Sequence, residues 1–189
     1  TPLKAGVSIN LLNMLGSALK ESPSNSDYIF RSVYIIDQQP KGIISAHAPS
    51  NIKYPLTVPS DGVLRFYPTL SPEIWQPNKG DGVQFQILLE TSDQKDFILF
   101  DKYIDPKNIP DERHWTGEEI NLQQWAGQPI SLIFSTSCGP NGDCQYDWAA
   151  WGEPRIVQPI YYNFLDHYLE ATIDTLNTDY GTTNISTQT

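Results

Sequence analysis

Apolar and polar side chains alternate with a period of two through most of the middle of this chain. The cleanest run sets Val83, Phe85, Ile87 and Leu89 against Gln84, Gln86 and Glu90, the signature of a strand with one face buried. Leu132 and Phe134 alternate with Ser131 and Ser135, and Leu64 and Phe66 with Arg65 and Tyr67. Residues 28–37 and 97–104, rich in β-branched and aromatic residues, read as two more strands. Shorter strands are expected around 42–47, 54–58 and 120–122, with a returning strand up to Val157. Proline, glycine, Asn and Asp punctuate the intervals, as at Gly80-Asp81-Gly82 and Gly139-Pro140-Asn141-Gly142-Asp143. Two stretches carry a different period. Val7, Leu11, Met14, Leu15 and Ala18 recur at three- and four-residue spacings, and so do Tyr161, Phe164, Leu165, Tyr168, Leu169, Ile173 and Leu176. They predict helices over 3–20 and 160–177.

Short strands spaced about ten residues apart, with turns between, predict an all-β fold: a two-layer antiparallel β-sandwich, most simply a jelly roll. The expected organisation is an N-terminal helical extension over 1–27, a sandwich over 28–158, and a C-terminal helix with a loose tail over 159–189. At 189 residues there is room for one domain with a real core. Fifteen prolines and twelve glycines argue against a helical bundle.

Charge narrows the partners. Acids outnumber bases 22 to 12, for a net charge of −10, so nucleic acid and anionic membrane surfaces are poor partners. No apolar run reaches the roughly 20 residues needed to cross a bilayer, so direct membrane insertion is not expected. A start at Thr1 reads as a processed product or a piece of a larger protein. Cys138 and Cys144 flank one turn. A disulfide there would contribute about 2 kcal/mol by restricting the unfolded chain and would place the protein in an oxidising, extracytoplasmic compartment. Reduced thiols and a metal site are the other readings, and the metal is weak because no histidine lies nearby.

The order of several segments resembles a known group. G-D-G-V-Q-F (80–85), L-F-D-K-Y-I-D-P-K (99–107), R-H-W (113–115), I-N-L-x-x-W-A-G-Q-P-I-S-L (120–132) and Y-D-W-A-A-W-G-E-P-R-I (146–156) resemble galactose-binding-like jelly rolls. Within that group they are similar to carbohydrate-binding-module-like domains in extracytoplasmic parts of bacterial membrane proteins, some glycosyltransferases among them. The resemblance covers the central two-thirds of the chain and implies a sandwich, with Asp147, Trp148 and Ala149 serving the architecture. It also admits a structural calcium, for which Asp105, Asp111, Asp143 and Asp147 are available. Without a D-x-D-x-D-G loop, solvated loop acids are the simpler reading and no cofactor is expected.

Catalysis finds no support. There is no G-x-S-x-G, H-E-x-x-H, G-x-x-x-x-G-K or G-x-G-x-x-G, and Asp81, Asp147 and Glu153 as paired carboxylates would need a separation that sequence does not supply. Binding a saccharide needs a flat aromatic surface against the ring and polar groups for its hydroxyls. Trp75, Trp115 and Trp151 sit beside loops, with Arg113, Asp111 and Glu153 as hydroxyl partners. Trp125 and Trp148 read as core, and His47, His114 and His167 as ordinary polar residues. The expected function is a non-enzymatic, extracytoplasmic saccharide- or glycan-binding module. The alternative is an interaction domain packing on a neighbouring domain of its parent protein or on itself.

Overall fold

The computed structural model describes residues 8–22 and 26–158. Eleven strands fill it: β1 (Ser8–Asn10), β2 (Leu19–Glu21), β3 (Ile29–Ile36), β4 (Gln39–Ala46), β5 (Ser50–Thr57), β6 (Val63–Leu70), β7 (Val83–Thr91), β8 (Asp96–Ile104), β9 (Glu118–Asn121), β10 (Pro129–Cys138) and β11 (Ala149–Val157). They form two antiparallel sheets. The first runs β3-β4-β11-β6-β9, with β1 also on β11, and the second runs β2-β5-β10-β7-β8. The all-β sandwich expected from the alternation is the fold observed.

Period-two burial organises both sheets. On β7, Val83, Phe85, Ile87 and Leu89 are buried, and on β10 so are Ile130, Leu132, Phe134 and Thr136. Between the sheets Trp151 is fully buried and meets Phe66, Phe85 and Phe134 edge-on, at centroid distances of 5.7, 5.0 and 5.0 Å. Such edge-to-face contacts suit the aromatic quadrupole. Trp125 closes the opposite flank against Phe97 at 5.5 Å and is buried, as expected.

The N-terminal expectation needs correction. The described part of 3–20 is not one helix: β1 pairs with β11, a single turn (α1, Leu11–Met14) follows, and β2 pairs with β5. The helical spacing holds for that turn alone, where the Asn10 side chain accepts from the Asn13 amide at 3.2 Å and Leu11 and Leu15 are buried. One turn is too short to be stable alone, so the flanking residues gain more by joining the sheets. The sandwich therefore takes in residues from Ser8 onward, rather than starting at Tyr28. The helix expected over 160–177 and the tail beyond it lie outside the described residues.

A cavity at the aromatic centre costs far more than one at the periphery. Trp151→Ala is expected to destabilise the domain by about 3–5 kcal/mol in urea unfolding. Trp115→Ala, whose ring is half-buried, should cost clearly less in the same measurement.

Candidate functional site

The residues singled out as a binding set do not converge. Trp151 is core, which corrects its assignment to a loop-side groove: β11 is covered on both faces over Ala149–Gly152, and Trp151 points inward. Trp75 is half-buried against the core after the turn Pro72–Ile74, with its Nε1 enclosed. Arg113 spends its guanidinium on the loop that carries it, donating to Pro106 O at 2.6 Å and Lys107 O at 3.0 Å.

Trp115 and Glu153 do come together, on the outer face of the first sheet. Lys41 Nζ lies 3.7 Å from Glu153, 4.2 Å above the Tyr67 ring and 5.8 Å from the Trp115 ring. Trp115 Nε1 donates to Gln39 O at 2.9 Å, while the neighbouring His114 Nδ1 lies 2.6 Å from Asp37. A Cβ on Gly152 would sit 3.0 Å from the Trp115 ring, so the indole lies directly on that glycine. Held this way, Trp115 straps its loop across the sheet, and its polar edge is already used.

A better-formed hollow lies at one end of the sandwich. It has a volume of about 320 Å³ and is lined by Ser22, Tyr28, His47, Ala48, Cys144, Asp147 and Trp148. Strand pairing builds it. Ile29 pairs with Ala46 and Ser45 with Ala150, so the start of β3, the end of β4 and the approach to β11 meet. Tyr28, His47 and Trp148 stand at those three ends with near-parallel rings, Tyr28 to His47 at 5.2 Å and His47 to Trp148 at 5.8 Å. Phe30 meets His47 edge-on at 6.2 Å and Tyr146 leans on Trp148 at 6.2 Å. Tyr28, Phe30 and Tyr146 are each more than 40 % exposed. Trp148 is half-buried rather than core, because its strand-end position leaves one side open to this hollow. Burial lowers the His47 pKa, so its ring is neutral at neutral pH.

Several bonds hold the 146–148 wall. Ala48 N–H donates to Asp147 O at 3.0 Å and Ser71 N–H to Trp148 O at 2.9 Å, tying it to turns from both neighbouring strands. Cys138 and Cys144 are disulfide-bonded, with a Cα–Cα distance of 4.8 Å, which closes the loop feeding the wall. Thr136 Oγ1 donates to Ala46 O at 3.0 Å and pairs with Ser50 Oγ at 2.9 Å, joining the two sheets beside the hollow.

Behind that wall lie two acids. All four carboxylate oxygens of Asp81 and Asp147 are enclosed and make no hydrogen bond among the described residues. The Asp147 pKa is raised to about 7, by burial first and then by the charges of Asp81 and Asp143. The Gly139 N–H opposes this weakly from outside hydrogen-bond geometry, and Lys107 opposes it from a distance. A Cβ at Gly139 would fall 2.5 Å from Asp81 Oδ1, so only glycine lets the turn approach. The Tyr103 hydroxyl donates to Asp81 O and Lys107 Nζ to Gly80 O. Asp105 is occupied, accepting from Asn108 Nδ2 at 2.6 Å, and Asp111 is exposed. Among the described residues no three His, Cys, Asp or Glu side chains converge as a metal cluster.

Comparison with known proteins agrees with this architecture. A family 51 carbohydrate-binding module from GH95 of Clostridium perfringens, solved with methyl-galactose, superposes with a TM-score of 0.51 at 14% identity, over 79% of this chain and 99% of that one. The likeness is one of fold: a two-layer antiparallel β-sandwich shared with that carbohydrate-binding module. A family 61 module, TmCBM61, in complex with β-1,4-galactotriose matches at a TM-score of 0.49 and 8% identity, over 77% of this chain and 90% of that one. No family model matches the sequence. An uncharacterized protein of Archaeoglobus fulgidus is 46% identical over 99 residues, which are 52% of this chain but 25% of that protein. This chain thus corresponds to a minor part of that longer relative. Among the described residues no helix is long and apolar enough to cross a membrane.

A carboxyl whose folded pKa lies above its unfolded value of about 3.9 binds its proton more tightly in the native state, so it favours folding while protonated. In EDTA, stability should fall as pH rises from about 4 to about 7, by an amount on the order of a few kcal/mol, and then level off. Urea unfolding of Asp147→Asn should lack this slope.

Proposed function

We propose that this chain is a non-catalytic saccharide-binding module of a larger, extracytoplasmic and envelope-associated protein, and that the sugar sits in the hollow at Tyr28, His47 and Trp148. The observation that carries the reading is the convergence there of five rings, Tyr28, Phe30, His47, Tyr146 and Trp148, the first, second and fourth well exposed, with Ser22 beside them. A pyranose presents an apolar face of C–H groups and a rim of hydroxyls. The open sides of Tyr28, Phe30 and Tyr146 suit that apolar face, and nearby hydroxyl groups suit the rim. The module of similar fold solved with methyl-galactose supports this ligand class. The disulfide is consistent with an oxidising compartment.

A structural calcium fits the residues behind the hollow. Asp81 and Asp147 would supply carboxylates that have no other partner, and Tyr146 O and Gln145 O lie around the same point as Asp147 Oδ1, each 3.4–3.5 Å from where a Gly80 Cβ would stand. Oxygen ligands of this kind are what calcium prefers. The ion would fix the 145–148 segment and favour the ionised form of Asp147.

The second reading, an interaction domain, is favoured by one feature. β3 is an edge strand, and its Val33 and Ile35 are 58% and 65% exposed, an invitation to pair with another chain.

Glycan-array and calorimetric binding separate the two. Tyr28→Ala and Trp148→Ala should each lower sugar affinity at least about 10-fold, while Trp75→Ala changes it little. Silence at millimolar sugar, together with concentration-dependent dimerisation, would establish the interaction reading instead. For the metal, millimolar calcium should raise the melting temperature by several degrees and abolish the acid-side pH slope. No shift in wild type, or the same shift in Asp81→Asn/Asp147→Asn, sinks the calcium assignment.

A further inference from the structure

We infer that the aromatic hollow is one end of a longer track, and that the ligand is an uncharged oligosaccharide chain rather than a single sugar. This rests on the saccharide reading of the hollow. A second hollow of about 620 Å³ adjoins the first: the two share Ser22 and meet across the consecutive residues Ala48 and Pro49. Its floor is the outer face of the second sheet, where Glu21, Asn51 and Ser135, with Lys20 beside them, line it over β2, β5 and β10, and Gln86 on β7 and Asp101 on β8 continue the same cross-strand row beyond it. Ser137 flanks the row.

Glu21, Asn51, Ser135, Gln86 and Ser137 make no internal side-chain hydrogen bond or ion pair among the described residues, whereas Asp101 accepts from Gln84 Nε2. Two positions further along the same face, the row changes character to Leu19, Lys53, Ile133, Leu88 and Ile98. Unspent amides, hydroxyls and a carboxylate are therefore grouped in this row, apart from Ser131 at the far end of the same face. Hydroxyl-rich ligands need such unspent donors and acceptors. Three interstrand gaps span about 14 Å, enough for roughly two to three pyranose rings in line beyond the hollow. The net charge of −10 makes an anionic glycan a poor occupant.

The test uses the whole chain against matched probes: galactose and β-1,4-galactotriose, N-acetylglucosamine and its β-1,4-linked trimer, glucose and its β-1,4- and β-1,3-linked trimers, and trigalacturonate. Each is titrated calorimetrically into wild type, Tyr28→Ala and Asn51→Ala/Gln86→Ala. The expected result is a neutral trimer bound at least about 10-fold more tightly than its monosaccharide, with that advantage lost in Asn51→Ala/Gln86→Ala and the monosaccharide affinity unchanged within about 2-fold. Both substituted residues face solvent, so an unchanged melting temperature shows the fold intact. If monomer and trimer bind alike and only Tyr28→Ala weakens them, the track is wrong and the hollow stands. Trigalacturonate binding as well as the neutral trimers would overturn the charge argument. No binding of any probe by wild type overturns hollow and track together.

Discussion

The wedge of Trp151 between the two sheets is the constraint on which the rest of the molecule depends. Phe66 and Trp151 come from the first sheet, Phe85 and Phe134 from the second, and their edge-on packing sets how the two layers lie on each other. A buried aromatic removes some 150–250 Å² from water, worth about 4–6 kcal/mol each before entropy is counted. The surface ion pairs Lys53–Glu90 and Lys102–Glu118 are worth at most about 1 kcal/mol each. Aromatic burial therefore decides the fold, and the charges decorate it.

That same strand carries the site. β11 starts at Ala149, directly after Tyr146, Asp147 and Trp148, so fixing Trp151 in the core fixes where the preceding three residues emerge. Alternation along the strand sends Trp151 inward. Trp148, just before the strand, is left at its rim with one side open. The disulfide and the two backbone bonds from Ala48 and Ser71 remove the remaining freedom of the wall. A preformed aromatic surface of this kind avoids the cost of ordering side chains when ligand arrives.

The strands were legible wherever one face met the core and the other met water. β7 reads correctly almost residue for residue, because Gln84 and Gln86 mark its outer face. Legibility failed where that contrast was missing. The end of β4, Ile43–Ala46, is buried on both faces, and Ala149–Gly152 likewise, so nothing in the pattern said which tryptophan pointed inward. At the N-terminus a single capped turn carried enough helical spacing to hide two three-residue strands. The hollow was the least legible part. Tyr28, His47 and Trp148 are spread over 120 positions and meet only through strand register, which sequence alone did not reveal. The usable signal is aromatic residues of every kind immediately flanking predicted strand ends, of which tryptophan is one.

Asp81 and Asp147 are difficult to explain as mere scaffolding. Enclosing a carboxylate without a partner costs several kcal/mol unless it is protonated or meets a cation. One acid can lower that cost by staying protonated, which is the direction burial and the neighbouring charge push Asp147. The four carboxylate oxygens of the pair have no hydrogen-bond partner among the described residues. Replacing both by apolar residues would give a drier and more stable turn, so their presence requires a compensating gain. A cation held between them would provide it by locking the 145–148 wall, and the stability lost in building an acid pair would then return as rigidity at the binding surface.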